Sequence, residues 1–350
     1  MSSSAVRVYS TQDAEWDGVV RRCIGDDPEP YFLAAYHRLH ELHGDGVAEA
    51  AVVSRDDQLL FIPGLRVAIA ADATHTDLQS CNGYAGPLAT PNADPSFMSW
   101  AWQAWAEEER RRGGVAAFFR VHPLVDNRSW LPNESETRLD REVAYVDLRQ
   151  GCAHAWQASS ARHRNMVNAA RNRGIHVEHT NAAEDWAEFA ALYIAAMERL
   201  QAPVRLRYSD DYFRALARLP GTELILIRDA HGAIVSAAVF LSGARWCHYH
   251  LAARRADAPN YSGNAILQHA IDRAAERGAE GLLLGGGVTT AADDPLLKFK
   301  QGIGTNMLSF FVARVIADPE TFSALTQARS RFGPTSWLLP YRQPVALEAS

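Results

Sequence analysis

Cysteine is scarce: the 350 residues contain four. Cys23, Cys81, Cys152 and Cys247 are far apart and form no C-x-x-C pair, which argues against a zinc ribbon or a disulfide framework and fits a reducing cytoplasm. An excess of positive charge is also missing. Thirty-five Lys and Arg stand against 41 Asp and Glu, giving a net charge of -6. That balance excludes a protein that coats nucleic acid by bulk charge, while leaving room for a local basic patch. No apolar run approaches the roughly 18 residues of a membrane span, and "MSSSAVRVYSTQDAEW" lacks the apolar segment of a signal peptide. The chain is therefore read as soluble, unprocessed and cytoplasmic, with no membrane partner. No G-x-S-x-G elbow is present, and no cysteine sits in a nucleophile motif.

What is present is a globular composition, 47% hydrophobic and 22% charged, long enough for about two domains. "EAAVV" and "LLFIPGLRVAIA" read as strands around the turn "SRDDQ". "SFMSWAWQAWAEEERRR" reads as a helix stopped by "GG", and "VAAFFRVHPL" as a further strand. The second half repeats the order: "ELILIRDAHGAIVSAAVFL" is a strand, turn and strand. "WCHYHLAAR" is a strand, "NAILQHAIDRAAERG" a helix, and "AEGLLLGGG" a strand ending in glycines. Both halves place an Arg-Asp pair in the hairpin turn (Arg55 and Asp56; Arg228 and Asp229). Both also stop the helix with Arg-Gly (Arg112 and Gly113; Arg277 and Gly278). These matches point to a tandem duplication with a boundary near residue 150.

In the second half, "SSARHRNMVNAARNRGIHVEHT" reads as a serine-capped helix ending at Gly174. Its Arg162, Arg164, Arg171 and Arg173 make either a solvated face or a basic ridge for a phosphate-bearing ligand such as RNA.

The stretch "GGGVTTAADDPLLKFKQGIG", Gly285 to Gly304, invites a phosphate-cradle reading. Neither G-x-x-x-x-G-K-[ST] nor G-x-G-x-x-G occurs in it, and Asp293 and Asp294 would repel a phosphate. Gly285, Gly286 and Gly287 read instead as a tight exit turn or as clearance for a ligand at a strand end. Lys298 and Lys300 would point the same way in an extended segment and diverge in a helix; two solvated lysines are the default.

His248 and His250 alternate along a strand within reach of one metal ion, but no third ligand is suggested. They are read as structural or substrate-lining, and no metal is expected. "RRGGVA", Arg111 to Ala116, fits the acyl-CoA signature [RQ]-x-x-G-x-[GA] by letter. It ends a helix rather than beginning one, so it is a chance match.

Taken over nearly its whole length, the chain resembles the Fem-like (FemABX) aminoacyltransferases, which carry two tandem GNAT-type domains. The stretches that carry the resemblance are "NGYAGPL", "FFRVHPL", "ARHRNMVNAARNRGIHV", "LYIAAMERLQAP", "CHYHLAA" and, most specifically, "LLLGGGVTTAADDPLLKFKQGIG". The resemblance implies an α/β fold of two GNAT-like domains with mixed sheets flanked by helices and a cleft between them. The first would cover 1–150, with 305–345 as a candidate to complete it; the second would cover 151–304 and hold the catalytic segment.

It also implies transfer of an amino acid from aminoacyl-tRNA to an amine on a peptide, peptidoglycan precursor or secondary-metabolite acceptor, with no other cofactor. Lys300 and Phe299 fall at the family's catalytic pair, and a fixed ammonium would stabilise the tetrahedral oxyanion of ester aminolysis. Arg199, Tyr84 and Tyr249 fall where the family contacts the acceptor, with His250 and Gly285 to Gly287 beside them. Arg162, Arg164, Arg171 and Lys298 are the candidate tRNA contacts. Two departures weaken the peptidoglycan substrate. "GYAGPL" stands where the family commonly writes arginine-glycine-proline, and the long helical arm of some members has no room. An acyl-CoA-dependent N-acyltransferase and an inactive binding protein are the alternatives.

Overall fold

The computed structural model describes residues 5–26, 29–70 and 72–344, and the chain divides into two compact units. Unit 1 comprises residues 1–26, 31–140 and 310–350; unit 2 comprises 27–30 and 141–309.

Unit 1 contains β1 (Val6–Ser10), α1 (Glu15–Ile24), α2 (Ala34–His43), β2 (Val47–Arg55), β3 (Gln58–Ile69), β4 (Asp72–Gln79), the short β5 (Leu88–Ala89), α3 (Pro95–Arg111) and β6 (Gly114–Arg120). Strands β1 to β4 pair antiparallel in sequence order. Strand β6 is parallel to β4, and such a pair requires a crossover, which α3 supplies. Phe97, Ala101 and Trp105, spaced by four, form the buried face of α3 in a core with Leu60, Ile62 and Phe119.

Strand β7 (Glu136–Asp147) carries the chain from unit 1 residues into unit 2 residues. Unit 2 continues with α4 (Cys152–Ala158), α5 (Ala161–Asn172), β8 (Glu178–Thr180), α6 (Ala183–Arg199), α7 (Asp210–Leu216), β9 (Thr222–Arg228), β10 (Ile234–Ser242), β11 (Trp246–Arg254), α8 (Ser262–Glu276), β12 (Gly281–Gly285) and α9 (Pro295–Gln301). Strands β8 to β11 pair antiparallel in order, and β12 returns parallel to β11 through α8. The Ala144–Asp147 part of β7 closes this sheet antiparallel to β12. Last come β13 (Asn306–Ile316), whose Val312–Ile316 pair with β6, and α10 (Pro319–Ser330).

The shared plan is thus visible within each unit: four antiparallel strands, a crossover helix, a parallel strand and an antiparallel neighbour. Gly113 and Gly278 end the two crossover helices at φ 75° and 76°, left-handed values that glycine adopts without a Cβ penalty. The hairpin turns differ. Asp56 itself takes a positive φ of 56° in a two-residue connection. Asp229 instead accepts bonds from the His231 and Ala233 amides across a longer one.

Candidate active site

Strand β12 is buried at every position and ends at Gly285, whose φ of 78° turns the chain out of the sheet. Its two neighbours are held by contact rather than by conformation. A Cβ on Gly286 would stand 2.7 Å from Arg141 Cδ, and one on Gly287 would stand 2.4 Å from Asp294 Oδ1. The three glycines therefore make a turn packed against side chains, not an open phosphate cradle.

The loop ends at Asp294, which caps α9. Its carboxylate accepts from the Leu296 and Leu297 amides at 2.9 and 3.0 Å, and from the Thr289 amide and hydroxyl at 2.9 and 3.0 Å. The Thr289 amide first, then the Leu297 amide and the Thr289 hydroxyl, hold its carboxyl well below the usual range against the opposing effect of burial. Pro295 at the first helical position completes the start signal.

Because 295–301 is helical, Lys298 and Lys300 diverge: Lys298 is exposed and Lys300 is 8% exposed. The expectation of two solvated lysines fails at Lys300 for that reason. Its ammonium donates to the Gly286 carbonyl at 2.8 Å and lies 5.5 Å from the centroid of the Tyr249 ring. Burial lowers it to about 8; Asp294 acts against that shift and Arg141 adds to it. Lys298 and Lys300 are also the only two lysines of the sequence.

Phe299 packs on the unit 2 core, with its ring 3.4 Å from where a Gly263 Cβ would be. Helix α9 thus abuts the first turn of α8. Tyr249 is partly buried, and its phenol is pushed up to about 12, so it remains neutral. The structure brings together Lys300, Tyr249 and Gly286, with Phe299 alongside.

The remaining candidates stand elsewhere. His250 Nε2 lies 3.3 Å from the Tyr212 hydroxyl, while His248 is buried and paired with Glu29. Arg199 is exposed and donates to the Arg254 carbonyl at 3.0 Å. Tyr84 belongs to unit 1, edge-on to Tyr31 and Phe310. On α5, capped by Ser160, Arg162 is exposed and Arg171 lies 5.4 Å from the Trp156 ring centroid. Arg164 is half-buried and donates to the Gln157 and Ser159 carbonyls, closing the end of α4.

One feature escapes the motif search. The acyl-CoA signature requires a strand leading into a helix N-terminus. "RRGGVA" lacks that: the Arg112 and Gly113 amides bond back to Glu108 and Arg110 carbonyls. The required context occurs at the β11–α8 junction, where Asn260 to Ala265 reads "NYSGNA". The glycine and the final alanine match, and asparagine stands where arginine or glutamine is expected. No side chain caps α8, and the Ser262 hydroxyl is fully buried without a hydrogen-bond partner. Relaxing the first position of the pattern would have found it.

Residues 159–300 match a family model described as an acetyltransferase (GNAT) domain. Among solved structures, the chain aligns with the crystal structure of FemX at a TM-score of 0.71 and 15% identity, covering 91% of this chain and 99% of that one. The chain has the FemX fold. It also aligns with the C-terminal domain of a putative lysylphosphatidylglycerol synthetase from Agrobacterium fabrum (TM-score 0.57, 16% identity, 88% and 92% covered). A third alignment is with L-PGS from Bacillus licheniformis (TM-score 0.54, 14% identity, 83% and 93% covered). No curated protein matches the sequence. The fold is α/β of the tandem GNAT type, an acyltransferase fold, and no helix among the described residues is long and apolar enough to cross a membrane.

Proposed function

We propose that the protein is an aminoacyltransferase that moves an amino acid from the ester of aminoacyl-tRNA to an amine. The acceptor is a small peptide, a peptidoglycan precursor or a secondary metabolite, and the product is an amide. The observation that carries this reading is the buried ammonium of Lys300 at the glycine end of β12, tied to the Gly286 carbonyl. In ester aminolysis the acceptor nitrogen bonds to the carbonyl carbon, the carbonyl oxygen becomes an oxyanion, and the ribose oxygen leaves with the proton the amine gives up. A fixed cation at a desolvated position stabilises that oxyanion without reorganising during the reaction. Near neutral pH a lysine lowered to about 8 remains mainly charged, so it serves as an electrostatic group rather than as the base. The substrates then carry the proton between them, and their positioning supplies much of the rate.

The resemblance to Fem-like enzymes and the FemX fold support the tRNA donor, with the exposed arginines of α5 as phosphate contacts in the cytoplasm. A second reading has its own observation: the uncapped N-terminus of α8 at "NYSGNA" and the GNAT domain match favour an acyl-CoA donor. Incubation with a labelled charged-tRNA pool, and separately with acetyl-CoA, decides between them. Transfer of labelled amino acid, falling steeply with added salt, is expected. Consumption of acetyl-CoA with the charged tRNA left intact would replace the first reading by the second.

A further inference from the structure

We propose that Asp294 is a positioning residue for Lys300, fixing both where the ammonium stands and that it stays charged. The proposal rests on the reading of Lys300 as the oxyanion-stabilising group.

The geometry is specific. The Lys300 ammonium donates to the Gly286 carbonyl, and the loop that carries this carbonyl is anchored at its other end by Asp294. One oxygen of Asp294 takes the two amides that begin α9, and the other takes the amide and hydroxyl of Thr289. The same carboxylate therefore sets the start of the helix bearing Lys300 and the end of the loop bearing its acceptor. Gly287 adds a steric lock, since any Cβ there would meet Asp294 Oδ1 at 2.4 Å.

The charges around the ammonium come from few elements. Asp294 favours the charged form; Arg141 on β7, which donates to the Gly287 carbonyl at 3.0 Å, opposes it. From β11 comes the neutral phenol ring of Tyr249, and Lys298 on the same helix points to solvent. Asp294 is thus the counter-charge of the site, although its own oxygens are taken by amides and a hydroxyl. A carboxylate that merely capped a helix would need no charge: asparagine and serine cap as well as aspartate does.

Neutral capping residues separate the two roles. Trace labelling with acetic anhydride across a pH series, read site by site by mass spectrometry, reports the titration of Lys300 with the exposed Lys298 as internal reference. In Asp294→Asn the midpoint of Lys300 labelling is expected to fall by about one pH unit while that of Lys298 is unchanged. Asp294→Glu, which keeps the charge, is expected to restore most of the shift. If Asp294→Asn does not fold, Asp294→Ser takes its place. A folded neutral-cap variant with an unmoved Lys300 midpoint would overturn the proposal and leave Asp294 as a cap only. The labelling uses no acyl donor. Failure here is therefore distinct from failure of the proposed reaction, which would appear as full turnover in Lys300→Ala while the Asp294→Asn variant, which keeps Lys300, still shows the labelling shift.

Discussion

The two units repeat one strand and helix plan, yet they treat the same two junctions in opposite ways. In unit 1 the crossover helix α3 is capped by Asp94, which accepts from the Ser96 and Phe97 amides at 2.8 and 2.9 Å. The segment after β6 closes on itself: the Asn127 side chain donates to the Ala85 carbonyl at 2.7 Å and accepts the His122 amide at 3.2 Å. Every group in that exchange is neutral. In unit 2 the crossover helix α8 begins without a side-chain cap and with a buried, unpartnered Ser262 hydroxyl. The strand that follows ends beside a buried ammonium. Unsatisfied buried polar groups and buried charges cost stability. Unit 2 carries both at one pole, and a fold retains that cost where a ligand can repay it.

The largest expected break of this contrast is Lys300→Ala. Turnover should fall by roughly a hundredfold or more, with the folded state intact by circular dichroism. Full rate in that variant would remove Lys300 from the mechanism. Substituting Arg120, at the end of β6 in unit 1, is expected to cost far less in the same assay.

Stability sharpens the comparison next. Lys300 titrates at about 8 in the folded protein against 10.5 when unperturbed, a penalty on the order of 3 kcal/mol. The sign follows from proton counting. Below pH 8 both states hold the proton, and the folded state bears the whole penalty. Between about 8 and 10.5 the unfolded chain binds the proton that the folded state has lost, so this group makes stability rise with pH. Lys300→Met should therefore unfold at higher urea than the parent at pH 7 by about 1–3 kcal/mol, the gain shrinking toward pH 10. With Lys300 in the proposed oxyanion-stabilising role, turnover should decline as pH rises through about 8. Equal stability of Lys300→Met and parent at pH 7 and at pH 10 would contradict this assignment.

Glycines give the third contrast. Gly287→Ala drives a Cβ onto the capping carboxylate of Asp294, whereas Gly263→Ala meets the Phe299 ring at an ordinary 3.4 Å. Urea titration should show the first variant losing about 1–3 kcal/mol and the second less than about 1. A reversed order would mean that the loop yields more easily than the α8–α9 contact.

Much of this was legible in the sequence. The hairpins, the crossover helices and their Arg-Gly stops follow from hydrophobic period and punctuation, and the tandem GNAT-type fold follows from the whole-chain resemblance. Helix α9 was less legible. Its signal, Asp294-Pro295 followed by lysines in the last turn, is a standard helix start, but it was read as repulsion toward phosphate because the preceding glycines set the question. Burial of Lys300 could not be read from Lys298 beside it, since a two-residue spacing fixes opposite faces only once a helix is assumed. The backbone bonds of Arg164 were likewise invisible, because the α4 carbonyls it closes are defined only by where that helix stops.

The smallest effects lie at the helix starts, and they separate a structural cap from a vacant one. Asp94→Ala removes an exposed cap from α3 and should cost about 1 kcal/mol of stability in a urea titration, with turnover unchanged. Ser262→Ala deletes a buried hydroxyl that has no partner, so its removal should be neutral or stabilising by up to about 1 kcal/mol. If the start of α8 receives an anionic group of the donor, the same change weakens donor binding by roughly fivefold, the equivalent of one hydrogen bond. Gain in stability with loss of affinity is the combination that only a ligand site produces. Loss of stability with unchanged affinity would make Ser262 an ordinary core residue and the two units alike at this junction.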